Sequence, residues 1–357
     1  MRTLRRYLAS EIIAATGLVV LALLMLFAFF DLVDEMKDLG RGGYRLKHIA
    51  LHVLLRIPTH VYEVFPIATL IGTLFALAQL VASTEYTVIR VSGVSLTRLN
   101  AALLSVGALF AVVTFAFGEF IGPPAEQFAQ RVRSLAIAGI VAQEFRSGLW
   151  VKDGRNFVNV GEITPDAQLR RVRIYEFDED FRLRTLSLAE SGTFLHDKTW
   201  RLNGVVRTTF EDARTQVQHI PQLEWTTVLE PQLLSMLLVR PDRMSAWNLY
   251  SYSQHLKENS QKALRYEIAL WMKAMYPVAV LVMMVLAVPF ASFQKKQGGV
   301  GARIFIGIML GLAFYTMNRL FGALGLLYGW PAPAAAVMPT LLFLTLALSM
   351  MWWQERR

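Results

Sequence analysis

Cysteine is absent from the 357-residue chain. That excludes disulfides, thiolate metal sites and Cys nucleophiles, but leaves the redox compartment open, because an oxidising space does not oblige a protein to use cystines. Charge is scarce: 18% of residues are Asp, Glu, Lys or Arg against 54% hydrophobic. With a mean hydropathy of +0.40, the chain is too apolar for an ordinary soluble enzyme of this length and points to a membrane. No G-x-x-x-x-G-K-[ST] segment occurs, so a Walker-type phosphate loop is excluded and ATP hydrolysis by this chain alone is not expected. The glycine cluster QGGVGAR, Gln297 to Arg303, is no substitute: it follows a membrane helix rather than a strand and reads as a basic turn. An H-E-x-x-H pair is missing too. His48 and His52, four apart, share a helix face, and His60 with Glu63 makes a second pair, but no third ligand suggests itself and the histidines read as interfacial groups.

What the chain has is long uncharged runs. A bilayer core of about 30 Å takes about 20 helical residues, and six runs qualify: Ile12–Phe30, Ile57–Ala82, Leu99–Gly118, Ile268–Phe293, Ile304–Leu326 and Ala334–Trp353. Segments 1–11, 83–98, 292–303 and 354–357 hold ten Lys or Arg, while the opposite loops 34–48 and 327–333 hold four. Basic residues concentrate in short cytosolic loops, so both termini are expected in the cytosol and residues 122–266 outside. The N-terminal MRTLRR and its apolar run carry no small-x-small cleavage site before DLVDEMKD, and read as a retained anchor rather than a signal peptide. The net charge of +9 then reflects loop orientation or phosphate-bearing lipid, not nucleic acid.

From about Arg146 the helical runs give way to alternation. GLWVKDGRNFVNV predicts a hairpin in which Asp153-Gly154 supplies the positive backbone angles of a two-residue turn. RVRIYEF, RLRTLSL, TWRLNGVVRTTF and TQVQHI follow, separated by turn signals, the last ending at Pro221. Short strands at this spacing predict an antiparallel sandwich or jelly roll, and SAWNLYSYSQHLKEN predicts a helix leading to the fourth span. The expected organisation is spans 1–3 over residues 1–122, a β-jelly-roll-like domain with connecting helices over 123–266, and spans 4–6 over 267–357: a polytopic α-helical membrane protein with an inserted all-β domain.

STEYTVIRVSGVS, Ser83 to Ser95, is more specific than a turn requires. Ser83 or Thr84 can cap a short helix, Glu85 lies in its first turn where the dipole favours an acid, and Gly93 can end it. Glu85, Ile89 and Ser92 form one ridge, with Tyr86 and Arg90 on a neighbouring face, so the helix suits either a lipid surface or another protein. Glu63 and Arg319 place charge at membrane depth, where it needs a cavity or a partner. Gly307 and Gly311 form G-x-x-x-G, which suits packing inside the chain or between subunits. Pro58, Pro66 and Pro339 imply kinks that neighbouring helices accommodate.

DLVDEMKDLGRGGY, FPIATLIGTLFALAQL, STEYTVIRVSGVS, GEFIGPPAEQFAQRVR, GLWVKDGRNFV, ALWMKAMYP and FYTMNRLFG occur in an order and spacing that resemble the LptF/LptG permease family. This family belongs to the ABC transporter that extracts lipopolysaccharide from the inner membrane of Gram-negative bacteria, and GLWVKDG is similar to the LptG branch rather than LptF. The resemblance covers nearly the whole chain. It implies that residues 83–95 are a coupling helix received by the cytosolic ATPase LptB, with Glu85 at the centre and Tyr86, Ile89, Arg90 and Gly93 around it. It further implies a heterodimer with LptF, an added transmembrane helix from LptC and delivery to a periplasmic LptA bridge. This chain would then be a transporter subunit and not an enzyme, binding no cofactor, while the LptB dimer uses ATP and Mg. Lys37 and Arg133 match basic positions that contact lipopolysaccharide phosphates, and Phe65 an apolar position lining the lipid cavity. Gln130 stands where an arginine is expected, with Arg131 beside it, and Asp31, Asp38 and Thr59 stand where some members have lysine. Three other classes compete: a membrane scaffold, an ion-coupled transporter, and an intramembrane metalloenzyme built on His48, His52, His60 and Glu63. Tolerance of charge reversal at Glu85, function without an ATPase, and bound zinc would respectively mark them.

Overall fold

The computed structural model describes residues 2–41, 43–83, 85, 91, 96–136, 148–163, 168–196, 198–211, 214–227, 240–258, 261–293 and 300–356. Six of its helices are long and apolar enough to cross a membrane, and an antiparallel sheet is inserted between the third and the fourth. The helices are α1 (Arg2–Glu35), α2 (Leu46–Ala82), α3 (Leu96–Ala116), α4 (Gly122–Ala136), α5 (Ala246–Glu258), α6 (Leu264–Phe293), α7 (Val300–Tyr328) and α8 (Ala332–Glu355). A π-helical segment, Phe117–Ile121, joins α3 to α4, so the third span runs on as one helical rod past its apolar stretch.

Several helices outrun the apolar segments that predict them. α2 starts at Leu46 and not at Ile57, because the polar groups of its first turns find partners inside the protein. Gly40 and a tight turn to Tyr44 connect it to α1. α2 is the central helix. Its buried residues lie on every side and include Ile49, Val64, Ala68, Leu70, Leu74 and Leu77. One core joins Leu70, Leu74 and Leu77 to Leu8 and Ile12 of α1, Phe110 of α3, Met283 and Leu286 of α6, Phe314 of α7 and Phe343 of α8, while Ile49 packs with Tyr44.

In lipid, helix association depends on close packing more than on expulsion of water, so small residues set the contacts. A Cβ on Gly72 would lie 2.5 Å from the Cα of Thr16, which brings the backbones of α1 and α2 together. The G-x-x-x-G of α7 also faces α2: a Cβ on Gly307 would meet Leu74 at 2.9 Å and one on Gly311 would meet Ile67 at 2.7 Å. Of the two uses open to that motif, the structure shows packing inside the chain. The outward faces of α1 and α7 remain apolar and exposed, with Leu18, Met25 and Phe29 on one and Phe305, Leu312 and Leu327 on the other.

The sheet comprises β1 (Leu149–Asp153), β2 (Asn156–Ile163), β3 (Leu169–Phe177), β4 (Leu183–His196), β5 (Thr199–Glu211) and β6 (Arg214–Thr226). They are ordered β1-β2-β3-β4-β5-β6, a meander, with no Greek-key crossover among the described residues. One face buries Val158, Val160, Val172, Ile174, Ala189, Trp200 and Leu202, and the register pairs Val158 with Ile174 and Val160 with Val172, as period-2 alternation requires. The first hairpin turns one residue later than expected. Asp153 pairs with Asn156, so Gly154 and Arg155 form the turn and Gly154 alone has a positive φ, +60°, which fits the turn type with glycine first. β6 does not end at Pro221 either. As the last strand of the sheet it pairs, among the described residues, only with β5, and on such an edge the missing N–H costs no ladder bond.

Candidate functional site

The end of α1, the first half of α2, α4 and the one-turn helix Pro241–Arg243 bring together a dense set of charges. Asp31 accepts from Arg56 at 2.7 Å and lies 2.6 Å from His60 Nε2, whose Nδ1 lies 3.2 Å from Glu63. Glu35 lies 3.3 Å from His52 Nε2 and accepts from the Tyr44 hydroxyl at 2.8 Å. Arg133 reaches Glu35 at 3.3 Å and Asp38 at 2.5 Å, and Asp38 also pairs with Arg41. Glu126, 1% exposed, accepts from Arg243 at 2.6 Å and faces Arg56 at 3.8 Å. Unpaired charges at such depth cost several kcal/mol each, so reciprocal pairing is the condition for burying them.

Two groups outside the spans show the electrostatics directly. Burial, then the bond to Glu35, holds the Tyr44 phenol above its ordinary range. Burial opposes the charge of Arg243, but the Glu126 carboxylate more than offsets it and the guanidinium stays raised. The histidines are divided among separate partners: His48 accepts from the Arg45 N–H and stacks on Tyr44, His52 faces Glu35 and the Ala129 carbonyl, and His60 faces Asp31 and Glu63. Among the described residues no group of three or more His, Cys, Asp or Glu is placed to share a metal ion.

The residues expected at lipid phosphates separate into different settings. Lys37 forms an exposed pair with Asp34 at 2.7 Å; solvent screens such a pair, so its ammonium stays available to another anion. Arg131 is exposed on α4. Arg133, partly buried, is engaged by Glu35 and Asp38. Phe65 lies in the chain's own core, 7% exposed, with its ring edge-on to Phe110 at 5.5 Å. Asp31 and Asp38 are balanced by Arg56 and Arg133.

Sequence reasoning did not assign roles to Arg56, Glu119, Arg243 or Lys273. Glu119, in the π-helical segment, accepts from the backbone N–H groups of Ala246 and Trp247 at 2.7 and 3.2 Å, closing the N-terminus of α5 from 127 residues away. Lys273 of α6 donates to the Met244 carbonyl and lies 5.7 Å from the Tyr62 ring. Charged residues within apolar runs were the available signal; their partners lie too far away in sequence to read.

At the other end of the bundle, Ser83, Glu85 and Val91 are the described residues of the segment 83–95; Tyr86, Ile89, Arg90 and Gly93 lie outside the described residues. Partly buried Glu85 accepts from the Tyr7 hydroxyl of α1 at 3.0 Å. Leu8 and Ile12, just beyond Tyr7, are buried in the main core, so a displacement of Glu85 bears on α1. Arg319 stacks on Tyr315 at 5.0 Å within α7.

Comparison with known proteins adds a consistent result. The family described as lipopolysaccharide export system permease LptF/LptG matches residues 6–353. The lipopolysaccharide export system permease protein LptG of Haemophilus influenzae is 33% identical over 355 residues, covering 99% of this chain and 98% of that protein. LptG of Escherichia coli K12 is 31% identical over 348 residues, covering 97% and 96%.

Proposed function

The chain belongs to the lipopolysaccharide export system permease LptF/LptG family, and we propose that it is one of two permease subunits in an ATP-driven exporter. Opposite it stands an LptF-type partner. An LptB-type ATPase dimer supplies the ATP and Mg chemistry that a chain without a phosphate loop lacks. An LptC-type helix and an LptA-type bridge complete the route out of the inner membrane. Both termini and residues 83–95 are cytosolic and the sheet is periplasmic, as the distribution of basic residues requires.

The observation that carries this reading is the family match from residue 6 to 353 on a chain with six membrane-length helices. The bond between Glu85 and Tyr7 suggests how force enters. α1 has 34 residues, a rod of about 50 Å at the helical rise. Its inner end is tied to the coupling segment and its outer end carries Asp31 and Glu35 of the charge network. ATPase closure against residues 83–95 tilts this rod, and the tilt works on Asp31 and Glu35 while the two permeases compress the lipid between them. Lys37 and exposed Arg131 then meet the phosphates of the head group, lysine as a point charge and arginine by a two-point grip.

A photocrosslinking residue at Lys37, in the chain co-purified with tagged LptF- and LptB-type partners, tests the assignment. Labelling of lipopolysaccharide that ATP turnover depletes is expected. Recovery of the intact complex with no lipid label at Lys37 or Arg131 would remove the phosphate contacts.

A further inference from the structure

α5 does not lie free above the bundle. It runs antiparallel along the outer turns of α6: Met244, just before it, accepts from Lys273; Leu249 packs with Tyr266, Ala269 and Leu270; the Tyr252 and Tyr266 rings meet at 4.6 Å; and Lys257 pairs with Glu267. Its C-terminal end is therefore level with the start of α6. Its N-terminal end is level with Lys273, five residues inside the apolar stretch that begins at Ile268. Glu119, which closes that N-terminus, directly follows the apolar stretch of the third span.

The exposed face of α5 changes character along its length. Trp247 (72% exposed) and Tyr250 (49%) occupy the deep end, and Lys257 and Glu258 the far end. Phe120 and Ile121 of the π-helical segment and Trp271 of α6, neighbours in sequence of Glu119 and Lys273, are exposed too. Trp and Tyr have an apolar body and a polar edge, and they concentrate where hydrocarbon meets head groups. A gradient from indole and phenol to ammonium and carboxylate over 13 residues matches the bilayer boundary, where hydrocarbon gives way to charged head groups.

The satisfaction of the backbone gives the second argument. A helix N-terminus in water needs no side-chain partner, because water takes its first N–H groups, whereas one sunk in lipid does. Here two N–H groups are taken by the Glu119 carboxylate and the Met244 carbonyl by the Lys273 ammonium. Two charged side chains from the third and fourth spans are thus devoted to the start of one short helix.

We propose that α5 is a half-sunken helix whose first two turns, led by Trp247 and Tyr250, insert into the outer-leaflet boundary between head groups and acyl chains, while its last turn rises into water. The partner surface is the lipid bilayer itself. This rests on the six spans and, for the choice of leaflet, on their proposed orientation, and not on the transport reading.

The absence of native cysteine allows single nitroxide labels at Trp247→Cys, Tyr250→Cys and Lys257→Cys, in the full chain co-purified with its partners and reconstituted in phosphatidylethanolamine–phosphatidylglycerol vesicles. Labels at 247 and 250 should collide more with oxygen than with a water-soluble nickel chelate, and the label at 257 should show the reverse. Nickel access at 247 equal to that at 257 would place the helix in water. Low access to both reagents at 247 would mean that protein covers it. Either result overturns the proposal. A second measurement keeps the native side chain as its reporter: the emission difference between the wild type and Trp247→Phe should be strongly quenched when the acyl chains are brominated near the head group. An unquenched difference overturns the proposal as well.

Discussion

Replacing Glu126 with Gln tests whether the buried charges hold the third span to the turn that precedes α5. The amide keeps the shape of the side chain and one acceptor oxygen but removes the charge. Arg56 retains Asp31 at 2.7 Å, so it stays paired. Arg243 loses its carboxylate at 2.6 Å, and among the described residues no other carboxylate lies within ion-pair distance of it. A buried charge left without its partner costs about 3–5 kcal/mol, and the surviving amide acceptor puts Glu126→Gln near the lower end, about 3 kcal/mol. Arg243→Gln should cost less, because Glu126 still faces Arg56 at 3.8 Å. The double variant should cost less than the sum of the two, the signature of direct coupling. Reversible denaturation of the purified chain in mixed micelles measures all three. A cost for Glu126→Gln below about 1 kcal/mol, the value of a solvated pair, would refute the claim that this network is dry and structural.

Other consequences follow from single contacts. Gly72→Ala drives a methyl into the Thr16 backbone and should cost at least about 1–3 kcal/mol by overpacking, whereas Gly17→Ala meets nothing within 4 Å and should be neutral or slightly stabilising; thermal unfolding compares the two. A cysteine at Gly154 should react with an impermeant thiol reagent on spheroplasts and one at Gly298 only after lysis, and the opposite pattern would invert the topology. Arg131→Glu should lower export without lowering stability. Arg133→Glu, which sets a third carboxylate beside Glu35 and Asp38, should destabilise by about 1–3 kcal/mol, less than a fully buried pair because solvent screens the partly exposed side chain; equal unfolding midpoints for the two variants would contradict the distinction.

The spans were legible because an uncharged run of this length has few other structural uses, and the sheet because its alternation is regular from Trp150 to Val160. The hairpin turn was misplaced by one residue since Asp153, Gly154 and Arg155 all tolerate a turn and only pairing across the strands decides which two are free. Pro221 looked like a terminus because sequence does not reveal that β6 is an edge. The start of α2 was hidden by polar residues such as His52 and Arg56, which interrupt the apolar run until Asp31, Glu35 and Glu126 are seen opposite them. In sequence Glu35 is 17 residues from His52 and Glu126 is 70 from Arg56, beyond any local pattern. The pairing of Arg133 with Glu35 and Asp38 was hidden for the same reason. Glu85 was singled out by helix-start chemistry, which is local, while its tie to Tyr7 across 78 residues was not.

The central claim is that this chain converts ATPase motion into lipid export through residues 83–95, and Glu85→Lys tests it most directly. Charge reversal in a desolvated interface typically costs several kcal/mol, whereas Tyr7→Phe removes only the solvent-exposed hydrogen bond between α1 and Glu85 and should lower release far less. Lipopolysaccharide release from vesicles containing the assembled complex is measured alongside ATP hydrolysis. Glu85→Lys should still yield a folded, membrane-inserted chain, but release should collapse through loss of the ATPase or through hydrolysis that no longer drives transport. Release at the wild-type rate from a Glu85→Lys complex would contradict the account.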